Sequence, residues 1–359
     1  MMSMEVDLDG LFRQNETFDY DEDYFYKDEL ETRATTAVVV PVLYSVQMVI
    51  GLLGNGFLLA VLAQKRRSWS MSDTFVLYLS VADVLLLLVT LPVWAAQASK
   101  NCAWCLSGFL CKMSGAVFNV NFYCGIFMLV CISLDSYLSV IHATQLYSQK
   151  RPRLAHISCL LVWLGSLILS IADWIFIVAK ADDEKVVCVH KYSVARLAHH
   201  TLGFLLPAAA LIICCSFILL RLQRRSEGLQ RQRSIMVILP LVGVFFLCWM
   251  PYNITLIVDT VRSISKEPDD GTPEGSLDTA LMVTSMFGCI HACLRPLLYL
   301  GLCRNFRKQI LALLRRAPVE SVGSLWELGV GEEVLPDQNQ EVGEREPMNV
   351  DHQVQSTQC

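Results

Sequence analysis

The chain has 359 residues, of which 54% are hydrophobic and 18% charged, with a formal net charge of −5. Soluble domains carry about 45–50% apolar and about 25% charged residues. The composition therefore excludes an ordinary soluble globular protein and places the chain in the membrane class.

The first element is an acidic arm, residues 1–37, expected outside the cell. Residues 1–36 hold 11 acidic and 3 basic residues, a net of −8. They contain no apolar run, so no cleavable signal peptide is visible and the first span is expected to direct insertion. The stretch Asp19-Tyr20-Asp21-Glu22-Asp23-Tyr24-Phe25-Tyr26 is too charged to fold alone. Two readings stand side by side: a solvated tail, and a docking arm for a basic protein. On the second, Tyr20, Tyr24 and Tyr26 are sulfation candidates, because sulfate adds charge and acceptor oxygens for the Arg and Lys of a ligand. Asn15-Glu16-Thr17 fits the glycosylation sequon. Asn253-Ile254-Thr255 also fits, but it falls inside an apolar run and reads as a chance match.

Seven apolar runs follow, at 38–63, 74–98, 109–141, 155–179, 198–221, 234–261 and 277–302. Each exceeds the roughly 20 residues needed to cross the hydrocarbon. The expected fold is an all-α membrane protein, a seven-transmembrane helix bundle over residues 38–302. Lys65, Arg66 and Arg67 follow the first run, and Lys150, Arg151 and Arg153 the third. Arg221, Arg224, Arg225, Arg231 and Arg233 follow the fifth, and Arg304, Arg307, Lys308, Arg315 and Arg316 the seventh. All lie on one side, which the positive-inside rule makes cytoplasmic, with the N-terminus outside. The basic stretch Leu220–Arg233 suits acidic lipid or a signalling partner. Residues 303–316 carry a short amphipathic membrane-surface helix, with Cys303 a lipidation candidate. Residues 317–359 read as a disordered acidic cytoplasmic tail.

There are 14 cysteines. Most lie inside apolar runs, where the plain reading is packing as a small hydrophobe. Cys111 opens the third run on the outer side and Cys188 lies in the loop between the fourth and fifth, so an oxidising compartment makes a disulfide between them the expectation. Cys102 and Cys105 leave two arrangements open, a bond to each other or one free thiol. No thiol or His cluster has metal-site spacing, and no cofactor or nucleic acid is called for. A transporter fits poorly, since there is neither an internal repeat nor a line of charges across several runs. An intramembrane enzyme fits no better, since no catalytic pair occurs at matched depth.

The runs carry further marks. The first holds Gly54-Asn55-Gly56. The second holds Leu79-Ser80-Val81-Ala82-Asp83, and a carboxylate in mid-membrane is a functional candidate by default. The sixth holds Cys248-Trp249-Met250-Pro251, where Pro251 removes a backbone hydrogen bond and kinks the helix. The seventh holds Pro296 and Tyr299. In order and spacing these resemble the rhodopsin-like G-protein-coupled receptors over residues 38–315. Thr90-Leu91-Pro92, Trp104 seven residues before Cys111, Asn119-Val120-Asn121-Phe122-Tyr123 and Ile141-His142-Ala143-Thr144 resemble CXC chemokine receptors. Ala143-Thr144-Gln145-Leu146-Tyr147 and Asp173 look like the branch that binds interferon-inducible CXC chemokines.

The resemblance implies a two-part site for a secreted basic CXC chemokine. The arm holds the ligand core by charge, which favours fast encounter, and the ligand's N-terminus enters an outer pocket. By position that pocket is lined by Trp94, Phe118, Tyr123, Asp173, Arg196, Trp249, Tyr252, Asp259, Asp278 and Ser285. For the aromatics the rival reading is helix packing, and for Asp173, Asp259 and Asp278 it is solvated rim charge. The family's second outer disulfide cannot form, because residues 1–101 and 262–288 hold no cysteine. The arm is then looser and its ordering cost on binding higher.

The inner half departs from the family. Asp135-Ser136-Tyr137 stands where it has Asp-Arg-Tyr, and one short hydroxyl cannot replace a planar five-donor cation. Cys215 stands eight residues past Pro207, where a Tyr is usual, and Arg295 stands before Pro296 where an Asn is usual. Asp83 lies roughly 14 Å in from its cytoplasmic helix end and Arg295 roughly 10 Å, at 1.5 Å rise per residue. The resemblance places those two helices together, so an Asp83–Arg295 ion pair is expected, since a charge in the membrane needs a partner. It would take the place of the sodium ion that the family's Asp83 counterpart helps to hold; Gly125 replaces another usual polar contributor, while Asn121 remains.

Together these imply a plasma-membrane chemokine receptor that captures and internalises ligand through endosomes, with weak or absent G-protein signalling. The alternative is a conventional inhibitory-G-protein-coupled chemotactic receptor, which the intact Asp135, Tyr137 and Tyr299 favour. On the inner side the implied partners are arrestin and, on the alternative, a heterotrimeric G protein, with membrane lipid around the bundle. The tail's acids offer arrestin what phosphates would; the plain reading is a solvated tail.

Overall fold

The computed structural model describes the backbone of residues 20–65, 69–99, 108–141, 145–182, 185–190, 193–224, 236–265, 274–315 and 325. Side chains are described for 37–65, 69–99, 108–138, 153–171, 174–175, 196–220, 236–264, 277, 279–315 and 325. Within them seven helices are long and apolar enough to cross a membrane: Ala37–Gln64, Met71–Ala98, Gly108–Leu138, Arg153–Ile171, Arg196–Leu220, Ile238–Ile264 and Thr279–Leu302. The third is the axle of the bundle, with 67% of its most apolar stretch buried, against 17% for the first span and 22% for the fourth. The apolar side chains the outer helices leave exposed, such as Leu53, Leu161, Ile168 and Leu247, are those a lipid tail would cover.

Three boundaries differ from the sequence expectation. The first helix begins at Tyr20 and runs unbroken to Gln64, so the C-terminal part of the acidic arm continues the first span. Between Tyr20 and Val40 there is neither Gly nor Pro, and extending an existing helix carries no nucleation cost. The fourth helix stops at Phe176, and Ile177–Asp182 forms β1, antiparallel to β2, Lys185–His190. Residues 177–179 therefore belong to a hairpin, which the all-helical reading lacked. Val178 pairs with Val189 and Lys180 with Val187, and such β-branched runs fit a pleated ribbon as well as they fit a helix end. The last helix spans Arg304–Leu314, with Phe306 and Ile310 buried and Arg307, Lys308, Leu311 and Leu314 exposed. Cys303 ahead of it is fully buried, and burial pushes its thiol up to about 12. A buried neutral thiol is not presented for lipidation.

Prolines shape the spans, and each leaves a carbonyl to be satisfied. Ahead of Pro92 the second span widens to a π-turn over Leu86–Thr90, where the Leu91 N–H reaches back five residues to the Leu86 carbonyl. In the seventh span Pro296 cannot donate to the Ala292 carbonyl. Asn55 does so instead: its Nδ2 donates to the Ala292 oxygen at 3.0 Å and to the Gly51 oxygen at 3.0 Å. A Cβ on Gly54 would sit 2.6 Å from the Pro296 ring, so the first and seventh helices touch there because residue 54 has no side chain. Asn55→Ala leaves a buried acceptor unserved. The expected cost is about 1–3 kcal/mol, read as a lower thermal midpoint of the purified protein.

Where the first and second spans meet, Ser70 caps the second helix. Its hydroxyl accepts from the Asp73 N–H at 3.3 Å, and Asp73 Oδ2 accepts from the Ser70 N–H at 2.6 Å and from Lys65 Nζ at 3.1 Å. This capping box follows directly from Ser-x-x-Asp.

Candidate functional site

Two groups of buried side chains stand out. One lies deep between the second, third and seventh helices. Asp83 is fully buried, and both its oxygens are used: Arg295 Nη1 donates to Oδ2 at 2.8 Å and Asn121 Nδ2 to Oδ1 at 2.8 Å. The pairing is the one expected from depth along the two helices. Arg295 Nη2 also lies 3.3 Å from His291 Nδ1. A guanidinium can only donate, so His291 Nδ1 accepts and the ring proton sits on Nε2. Protonating His291 would set two cations against each other. The His291 ring stands edge-on to Phe245, with centroids 5.2 Å apart. A Cβ on Gly125 would come 3.0 Å from that Phe245 ring and 4.0 Å from the imidazole. Glycine at 125 thus makes the room that this packing needs.

Sequence reading missed His291. The available signal was its place one turn before Arg295, where i and i+4 side chains share a face.

Towards the Asp135 end of the third helix, Asp135 is buried, and Ser136 and Tyr137 are half-buried. The Tyr137 ring lies 5.9 Å from Phe217 of the fifth helix. Cys215 is buried against Ser133, and Tyr299 is buried near the end of the seventh helix. Pro251 lies inside the sixth helix, Ile238–Ser265. The sequon residue Asn253 is fully buried, its amide donating to the Trp249 carbonyl at 2.9 Å.

The second group lies towards the hairpin end. The Trp94 ring packs tilted against Phe118 with centroids 5.0 Å apart, and Phe118 meets Trp249 at 5.0 Å and Tyr252 at 5.2 Å. Trp94 Nε1 donates to the Ser114 hydroxyl at 3.2 Å, while the Thr90 hydroxyl donates to the Ser114 carbonyl at 3.0 Å. Tyr44 adds its ring to Trp94 at 6.2 Å, and Ser285 lies beside the Tyr44 hydroxyl. Trp94 and Tyr252 keep partial exposure.

Trp249 and Tyr123 do not line an open wall here. Trp249 is fully buried and Tyr123 is 1% exposed. The Tyr123 hydroxyl sits 2.7 Å from His199 Nδ1, and a Cβ on Gly203 would fall 2.5 Å from the Tyr123 ring. Phe118 is buried as well. All three rings are packed between helices, where a flat ring buries a large apolar area.

Arg196 and Asp259 form an ion pair with each other. Arg196 Nη1 donates to Asp259 Oδ2, so the two face one another before either faces a ligand. One turn on, His200 Nε2 meets the Thr260 hydroxyl at 3.0 Å. The pair His199-His200 was also missed; two imidazoles inside an apolar span were the signal.

Cys111 is disulfide-bonded. Cys188 lies on β2, which packs against the helix that Cys111 opens; its side chain, and those of Tyr20, Tyr24, Tyr26, Asp173 and Asp278, fall outside the described residues. Asn15, Cys102, Cys105 and residues 326–359 also fall outside them. No group of three His, Cys, Asp or Glu able to hold a metal occurs among the described residues.

Residues 54–299 match the family described as 7 transmembrane receptor (rhodopsin family). The chain is 41% identical over 285 residues to the C-X-C chemokine receptor type 3 of Homo sapiens, covering 77% of this chain and 76% of that one. It is 40% identical to the type 3 receptor of Bos taurus over 284 residues, again 77% and 76% of the two chains. To the C-X-C chemokine receptor type 1 of Oryctolagus cuniculus it is 36% identical over 292 residues, 79% of this chain and 81% of that one.

The chain belongs to the rhodopsin family of seven-transmembrane receptors. Within it, the chain is a member of the CXC chemokine receptors. This receptor is accordingly a multi-pass membrane protein of the plasma membrane and not an enzyme. Its Asp83–Arg295 pair lies on two of the seven spans, within the matched residues 54–299.

Proposed function

We propose that this receptor binds secreted basic CXC chemokines at the cell surface, with its N-terminus outside, and that it captures and internalises them with weak or absent G-protein signalling. The printed names of its relatives support the ligand class. The net charge of −8 over residues 1–36 suits a basic ligand by electrostatic steering. On this reading Tyr20, Tyr24 and Tyr26 belong to the arm that meets the ligand. Asn15 carries glycan, Cys111 pairs with Cys188, and Trp94, Tyr252, Ser285, Asp173 and Asp278 belong to the outer pocket. The basic loops face the cytoplasm, the Arg304–Leu314 helix lies on the membrane, and arrestin reads the acidic tail before the receptor cycles through endosomes.

The observation that carries the signalling half of the reading is the Arg295 guanidinium seated on Asp83. A ligand must supply about 5.5 kcal/mol of differential affinity to move a two-state equilibrium from 1:99 to 99:1. A buried pair tying the second helix to the seventh adds to what an agonist must supply to part them. Ser136 and Cys215 then leave the inner end without the cation and hydroxyl that the family uses.

Arg295 also fills the place of a bound cation. Chemokine affinity is accordingly expected to be the same in sodium and in a bulky organic cation, and a sodium-dependent shift in binding would count against the fixed pair.

The deciding experiment measures, in one cell line, uptake of labelled CXC chemokines alongside G-protein activation. Uptake without activation supports the capture reading. Robust activation by the unaltered chain supports a conventional inhibitory-G-protein-coupled receptor instead, the reading favoured by Asp135, Tyr137 and Tyr299 standing where such receptors have them.

A further inference from the structure

The fifth and sixth helices are stitched together near their hairpin end by two polar contacts on one face. Arg196 and His200 are one turn apart on the fifth helix, so their side chains point the same way. Their partners, Asp259 and Thr260, are consecutive on the sixth. Arg196 Nη1 donates to Asp259 Oδ2, and His200 Nε2 lies 3.0 Å from Thr260 Oγ1. The Thr260 hydroxyl donates in turn to the Leu256 carbonyl at 2.8 Å, which leaves its lone pairs to accept from the His200 Nε2–H. The base of the stitch is rigid: His199 bonds the Tyr123 hydroxyl of the third helix at 2.7 Å, and the fifth helix is π-wound over His199–Leu205. Both partners of the ion pair are partly buried, with side-chain exposures of 13% for Arg196 and 20% for Asp259. Water therefore screens this pair less than it would a surface one. The nearest other cation on the sixth helix, Arg262, is exposed and leaves Asp259 to Arg196.

We infer that Arg196 and Asp259 form a specificity latch: Arg196 withholds the Asp259 carboxylate, and a ligand gains it only by bringing its own cationic group to displace the guanidinium. The inference rests on the chemokine reading above and changes the role of two residues within it. Asp259 is the acid the ligand competes for, and Arg196 is its competitor, not a ligand contact. A ligand lacking a cation at that point finds the Asp259 carboxylate already paired, so the latch selects against it. Taking Asp259 from Arg196 also removes one of the two polar contacts between the fifth and sixth helices at this end.

The test compares binding of labelled basic CXC chemokines to the unaltered receptor, Arg196→Ala, Asp259→Asn and the double variant, each normalised to surface expression. Arg196→Gln serves as a second, gentler opening of the latch. With the competitor removed, Arg196→Ala is expected to bind about tenfold more tightly, about 1.4 kcal/mol, and Asp259→Asn more weakly than the unaltered chain. In the Asp259→Asn background the gain from Arg196→Ala is expected to vanish, since there is no carboxylate left to release. Three results overturn the latch. Arg196→Ala and Arg196→Gln binding no more tightly than the unaltered receptor makes Arg196 a ligand contact or a bystander. A gain that persists without Asp259 makes the effect one of overall charge at the mouth. An unaltered receptor that binds no member of the panel removes the chemokine reading and the latch with it, whereas binding with no response to Arg196 removes the latch alone.

Discussion

Arg295→Met is expected to cost this receptor about 3–5 kcal/mol of stability, the usual penalty for removing one partner of a buried ion pair. The reason lies in what remains. Asp83 is fully buried and, among the described residues, accepts from two side chains, Arg295 and Asn121. Without the guanidinium, Oδ2 holds charge in a low-dielectric interior with no donor. His291 loses the donor on its Nδ1 as well. Changing Asp83→Asn in the Arg295→Met background removes the stranded charge, keeps Asn121 as a neighbour, and is expected to restore most of the loss. Buried pairs replaced on both sides are often neutral in cost. The measurement is the apparent melting temperature of detergent-purified receptor for the two singles and the double. A single Arg295→Met variant as stable as the parent, or a double no better than that single, would show that the pair is not what neutralises Asp83.

The second large effect is functional. The variant Ser136→Arg, Cys215→Tyr and Arg295→Asn is expected to raise chemokine-stimulated G-protein activation at least about tenfold over the unaltered chain, since each 1.4 kcal/mol of restored bias is worth a factor of ten. Ser136→Arg returns a planar cation with five donors to a half-buried position on the third helix. Arg295→Asn unties the seventh helix from Asp83 and opens the space for a hydrated cation, so a sodium-dependent shift in affinity is expected to appear with it. Cys215→Tyr is the tightest change, because Cys215 is only 9% exposed and faces Ser133, and overfilling a packed site typically costs about 1–3 kcal/mol. Ligand uptake by the triple variant is the internal control for folding. A variant that takes up chemokine normally and still activates no G protein would place the block outside these three positions.

Much of this receptor was legible from one sequence. Run length and hydropathy located seven spans, because a helix crossing hydrocarbon needs about 20 apolar residues whatever its neighbours are. Rise per residue placed Asp83 and Arg295 at similar depth, the family resemblance set their helices side by side, and the cost of an unpaired charge in lipid made them partners.

The azimuth of each helix was not legible. In a soluble protein the apolar stripe of a helix points to the core. In a bilayer, lipid and core are equally apolar, so hydropathy does not say which face meets which neighbour. Only the packed bundle decided that Tyr123 turns to His199, that Arg196 closes on Asp259, that His291 accepts from Arg295, and that Asn55 serves the carbonyl Pro296 leaves bare. The same ambiguity hid the hairpin, since Ile177, Val178 and Ala179 are apolar whether they end a helix or begin a strand. Depth is a one-dimensional quantity and can be read along the chain; lateral contact depends on how seven helices rotate against one another, and close packing of side chains settles that.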